Sequence, residues 1–140
     1  MSIEQNKALA RQMVEVIFNQ GNVSRVEEFL SPDFVEREEL PPGMPQGREG
    51  VKQLTGMIRN AFPDFKATIE DMIAEGDKVA CRWSATATHK GEFMGMPPTN
   101  KQVTITGLHI DRIAGGKIAE TWNYSDMMGV MQQLGMKPPG

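Results

Sequence analysis

The chain is poor in the residues that build covalent or metal staples. Its 140 residues include one cysteine, Cys81, which excludes an internal disulfide. It has two histidines, His89 and His109, too few for a Cys/His zinc site, so no metal is expected. Positive charge is neither in excess nor clustered: 15 basic residues face 18 acidic ones, for a net charge of -3. Nucleic acid and anionic membranes are therefore not expected partners. No apolar run approaches the roughly 20 residues that span a bilayer. Met1 to Gln20 is polar and charged at helical spacing and does not read as a signal peptide, so a cytoplasmic location is expected. Methionine, by contrast, is abundant at eleven. Met94, Met96, Met127, Met128 and Met131 suit a pliable apolar pocket or interface, although filling core is the commoner fate of such residues.

The length suits one domain, residues 1–140. Leu9, Met13, Val16 and Ile17 recur at helical spacing and predict a helix over Ser2 to Asn19, with Ser2 and Gln5 as a capping box. Gly21 can end it, and a short second helix through Leu30 is predicted before Pro32. Asp33 to Glu36 reads as a short edge strand. Glu38 to Gly50 carries three prolines and three glycines and reads either as a lid or as a surface connector. Glu49 to Ala61 is the next helix. Phe65, Ala67, Ile69, Asp71 and Ile73 then alternate with polar residues, as do Val79, Cys81, Trp83, Ala85, Ala87 and His89. Two more strands, Gln102 to Ile113 and Lys117 to Ser125, flank the turn formers Gly115 and Gly116. On the last strand, Ile118, Glu120, Trp122 and Tyr124 share a face, and Asp126 continues that parity into an apolar, Met-rich helix. Helices first and a strand meander last give an α+β class with an antiparallel sheet.

The run THKGEFMGMPPTNKQVTITGLHIDRIAGGKIAETWNYSDMMGVMQQLG resembles the SnoaL-like polyketide cyclases, also called predicted ester cyclases. The residues that carry the likeness include Thr88-His89, Pro97-Pro98-Thr99, Gly107, His109, Arg112, Glu120, Trp122, Asp126 and Gln132 to Gly135. Asn100 departs from it, standing where glycine is common, and asparagine tolerates the left-handed backbone such a turn needs. LSPDFV and the helix lengths extend the likeness, more weakly, over the amino-terminal half. The resemblance implies a cone in which a curved antiparallel sheet wraps about three helices around a deep pocket. It implies a small-molecule, polyketide-like substrate, no cofactor, and an intramolecular aldol closure of a β-keto ester with an aspartate as acid/base. The same architecture hosts isomerases, dehydratases, hydrolases and non-catalytic binders, so a cofactor-free hydrolase, hydratase or hydroxylase and a small-molecule-binding module stay open.

Such chemistry needs a base for an acidic C–H and a proton donor for the new alkoxide. Asp126, where the last strand leaves the sheet, is the candidate for both; the competing reading is an N-cap on the helix that follows. His89 and His109 can stabilise an enolate oxygen or orient Asp126, or be satisfied half-buried histidines. Alternation does not say which side of its strand His109 faces. Trp83, Phe93, Trp122 and Tyr124 are candidates for a flat, aromatic-lined pocket, against the commoner role of core packing. Glu120 and Arg112 are expected to pair structurally, and Cys81 to be inert core. A homodimer or homotetramer is expected, joined through the sheet, with Leu108, Ile110 and Met72 outward if His109 is inward.

Overall fold

In a computed structural model, residues 2–37 and 43–135 are described. Residues 38–42, the first part of the expected lid, lie outside them. Helix α1, Ile3–Met13, opens on the expected capping box: Gln5 N–H donates to Ser2 Oγ at 3.1 Å, and Ser2 N–H donates to Gln5 Oε1 at 2.9 Å. It continues as a π-helical turn, Val14–Asn19, which turns Val14 and Phe18 toward the interior. Gly21, at φ +69°, breaks the run where only glycine is unstrained. A 3₁₀ turn, Val23–Arg25, leads into the four-residue α2, Val26–Phe29. Strand β1, Leu30–Glu36, follows, and then α3, Gly47–Ala61.

Four long strands complete the sheet: β2, Lys66–Glu75; β3, Lys78–Thr88; β4, Gln102–Ala114; and β5, Lys117–Ser125. A short α4, Met127–Gln133, closes the described chain. The sheet order is β1-β5-β4-β3-β2, in a curved sheet that does not close. Pairing is antiparallel throughout β2 to β5, while β1 runs parallel to β5 at the edge. Pro32 is tolerated there because an edge strand needs only one set of ladder bonds. The concave face packs on the helices through two apolar clusters. One joins Ala10, Ile17, Val26 and Phe29 to Val79, Cys81 and Ile118; the other joins Phe62, Phe93 and Val130 to Ala85, Val103 and Ile105.

Two β-bulges decide which side chains look inward. On β3 the alternation is unbroken: Val79, Cys81, Ala85, Ala87 and His89 are buried and Trp83 is half-buried, as expected. On β2 the pairing jumps from Ile69–Trp83 to Asp71–Arg82, leaving Glu70 as an extra residue. Parity flips beyond it: Met72 packs on the core, whereas Asp71 is exposed and ion-paired with Arg82, and Ile73 is 71% exposed. This corrects the expectation of Asp71 and Ile73 inside and Met72 outside. On β5 the pairing jumps from Ile113–Ile118 to Arg112–Glu120 across the extra Ala119. Ile118 is inward, but beyond the bulge the inward residues are Thr121, Asn123 and Ser125. Trp122 and Tyr124 therefore stand on the outer face, opposite Ile110 and Leu108.

Candidate active site

The concave face, α3, the π turn and α4 enclose a cavity of about 350 Å³. Its wall is largely apolar, with Phe18, Phe62, Phe65, Phe93, Met57 and Met127 among its residues. The polar side chains it presents are Trp83 on β3, His109 on β4, Asn123 and Ser125 on β5, and Glu36 on β1. No lysine or arginine is among its described lining residues. A smaller annex of about 40 Å³ shares His109, Asn123 and Glu36 with it and holds Asp111 and Thr121. That room is about what one or two waters need.

His109 reaches the wall because β4 carries no bulge of its own between Val103 and Asp111, so every second residue in that run is inward. Its cross-strand neighbours are Cys81 and Asn123. Asp111, two residues on, shares that face and is buried. His109 Nε2 lies 3.5 Å from Asp111 Oδ2, an ion-pair distance longer than a tight hydrogen bond. Thr121 Oγ1 donates to the other carboxyl oxygen, Asp111 Oδ1, at 2.8 Å. Burial pushes the Asp111 carboxyl up from its ordinary value; the charge on His109 and the Thr121 hydroxyl offset part of that. On the strand beside it, burial also pushes the Cys81 thiol up to about 12, which keeps it inert. The indole Nε1 of Trp83 and the Oδ1 of Asn123 are buried with no hydrogen-bond partner among the described residues.

The remaining candidates go elsewhere. Asp126 is exposed, between the lining residues Ser125 and Met127, and its Oδ1 accepts from the Gly129 N–H at 2.9 Å. It caps α4 and does not line the cavity. His89 is fully buried outside the lining, packed against Phe62 and Phe93, with Nδ1 accepting from the Thr99 backbone N–H at 3.3 Å and 3.0 Å from Thr99 Oγ1. Trp122 and Tyr124 are placed outside by the Ala119 bulge, so of the four aromatics only Trp83 and Phe93 line the cavity. Glu120 is held between Arg112, at 2.8 Å, and Arg37, a structural pairing as expected, and these hydrogen bonds draw its carboxyl below the ordinary range. Sequence reasoning missed Asp111 and Asn123. The signal for Asp111 was its i+2 spacing from His109; none marked Asn123, which the bulge turns inward. Among the described residues no three His, Cys, Asp or Glu side chains gather as a metal site.

This geometry can be set beside known proteins. The chain is 32% identical over 120 residues to the nogalonic acid methyl ester cyclase of Streptomyces nogalater, covering 84% of this chain and 89% of that one. It is 29% identical to the aklanonic acid methyl ester cyclase DnrD of Streptomyces peucetius, covering 91% and 88%. Among solved structures it superposes on IdmH of Streptomyces antibioticus, for which a polyketide cyclase role has been suggested, with a TM-score of 0.81 and 36% identity over 94% of this chain and 99% of that one. AclR of Streptomyces galilaeus, for which a hydroxylase role has been suggested, gives 0.85 and 32% over 99% and 89%. The family model for SnoaL-like polyketide cyclases matches residues 8–134, from α1 through α4 and across the whole sheet, and the chain belongs to that family.

Proposed function

We propose that this SnoaL-like cyclase closes a ring by intramolecular aldol addition within a neutral, esterified polyketide, without a cofactor, and that His109 is its acid/base. The observation that carries this reading is His109 at the wall of an apolar cavity with the buried Asp111 behind it. With Asp111 facing Nε2, the other ring nitrogen, Nδ1, is the one free to take the proton from the carbon between two carbonyls. The enolate carbon then attacks a ketone or aldehyde carbon of the same molecule, one C–C bond forms, and the alkoxide takes the proton back from His109. Nothing is oxidised or reduced, and the product is an isomer of the substrate. Asp111 orients the imidazole and offsets the charge it acquires, as a carboxylate behind a histidine base does elsewhere. A wall with no lysine or arginine among its described residues, near two carboxylates, suits an ester better than a free acid. The relatives' methyl ester substrates agree with this.

The annex beside Asp111 and the likeness to AclR favour a second reading, in which a water enters there and adds to the substrate, so that the product gains one water. Cyclisation of a β-keto ester bearing a ketone within reach, followed by product mass and deuterium exchange at the acidic carbon, separates the two. His109→Phe is expected to lose about 10²–10⁴-fold in rate. Asp126→Asn, which keeps the cap, is expected to stay within a few-fold of wild type. Full turnover by His109→Phe would remove His109 from the mechanism, and a product heavier by one water would select the second reading. We further propose a cytoplasmic homodimer or homotetramer assembled through the outer sheet face, on which Leu108, Tyr124 and Ile73 are 42%, 63% and 71% exposed.

A further inference from the structure

The loop between β3 and β4 ends in a two-residue turn with an unusual occupant. Phe93 and Met96 exchange both backbone hydrogen bonds, at 3.1 and 2.9 Å, around Met94 and Gly95. Both central residues have positive φ, +51° for Met94 and +81° for Gly95, as a type I′ turn requires. Glycine, asparagine and aspartate are the usual occupants, because a Cβ crowds the backbone there. Met94 holds this conformation against its own preference, and such outliers gather where a side chain must be presented in one place.

The place is the mouth of the cavity. Met94 lines it, yet is 63% exposed, an apolar side chain that the described residues leave largely uncovered. The turn cannot swing away freely. Phe93 is buried edge-on against Phe62, with ring centroids 5.1 Å apart. At the base of the loop, the Lys90 and Gly91 N–H groups both donate to Ala61 O, at 2.9 and 3.0 Å. A Cβ on Gly91 would stand 2.2 Å from Asn60 O, so the loop lies directly on the end of α3. On its return side, Thr99 holds the buried His89 ring, and Asn100 N–H donates to His89 O at 2.8 Å. The backbone of the loop is thus fixed, and the thioether is left as an adaptable apolar tip. Met57 from α3 and Met127 from α4 line the same cavity, so methionines from three elements frame it.

We infer that Met94 is a specificity-determining residue: it covers the end of the substrate that projects from the cavity mouth, and selects an uncharged, apolar group there. The inference rests on the proposed function for the presence of a neutral substrate in this cavity. It adds which end of that substrate is read, and by what.

Asparagine at 94 keeps the left-handed turn and removes the thioether, so Met94→Asn is expected to melt no lower than wild type. The probes are 2-acetylnaphthalene and its 6-propyl derivative, whose extra chain lengthens the molecule toward the mouth. Methyl-¹³C methionine spectra follow Met57, Met94 and Met127, each assigned by substitution. The 6-propyl ketone is expected to shift all three methyls. Met94→Asn is expected to weaken that ketone about tenfold, from the loss of one to two methylene-sized contacts, and the unsubstituted ketone by less than twofold. Shifts at Met57 and Met127 with Met94 unmoved, or equal affinity of Met94→Asn for the long probe, would overturn the role of Met94 and leave the cyclase reading intact. No shift at any of the three would overturn both the cavity as the ligand site and the inference built on it. Cyclisation by the wild-type enzyme is measured separately.

Discussion

The Asp111 carboxyl is harder to ionise in the folded protein than in the unfolded chain, and that difference is a stability term. Its ordinary value is 3.8, and burial raises it. Between 3.8 and the raised value the native state holds a proton that the unfolded chain has released, so stability falls as pH rises through that window. Above the window the full cost is present; below it, none. Asp111→Asn removes the titration and can still accept from Thr121. The variant is expected to melt above wild type at neutral pH, with the gap closing as pH falls below the window. Its cyclisation rate is expected to drop toward that of His109→Phe. Thermal melts across the acid range check the first part; a gap independent of pH would show that Asp111 is not the titrating group. At this scale the sequence was partly legible. A histidine on a strand whose two faces both carry apolar residues could not be oriented from periodicity, and Asp126 satisfied both a catalytic and a capping pattern. The exposure of each side chain depends on tertiary packing, which neither pattern carries.

At the scale of elements, period two worked where the ladder was regular and failed where it was not. The face of β3 could be read directly from its alternation. On β2 and β5 a single extra residue, Glu70 or Ala119, exchanged inside for outside, and nothing in the local pattern distinguishes such a residue from its neighbours. The exchange at Ala119 is what brings Asn123 to the cavity and sends Trp122 and Tyr124 away from it. Helix existence was more legible than strand facing, since capping and 3.6-residue spacing are local signals. Gly107 shows how tightly the cavity wall is built. A Cβ there would lie 2.4 Å from Trp83 Cζ2 and 2.6 Å from the backbone O of Tyr124. The indole thus lies across β4 only because that position has no side chain. Gly107→Ala forces either the indole or the β5 backbone to move, and the expected destabilisation is about 1–3 kcal/mol. The denaturation midpoint measures it. Retention of the wild-type midpoint would show that Trp83 is free to leave that wall.

At the scale of the whole molecule, the convex face of the sheet carries apolar side chains outward. Cross-strand register aligns Ile73, Ala80, Ile110 and Trp122 in one row there, and Leu108 and Tyr124 side by side in the next. The Asp71–Arg82 pair continues that second row and gives the patch a polar border. An apolar centre with a charged rim is the anatomy of a contact between copies, and a stable one buries about 800 Å² on each side. In a two-fold arrangement the same patch meets itself, so one substitution enters the interface twice. Leu108 lies in the middle strand of that patch, its side chain directed away from the cavity. Leu108→Glu would place two carboxylates in the desolvated centre, where like charges cost several kcal/mol. Where the wild type associates through this face, as proposed, Leu108→Glu is expected to give monomer at micromolar concentration in light scattering. Because the substitution leaves the concave wall untouched, ligand binding in the cavity is expected to survive it. A wild-type protein that is already monomeric, or a Leu108→Glu variant with unchanged mass, would show that the convex face is not the assembly surface.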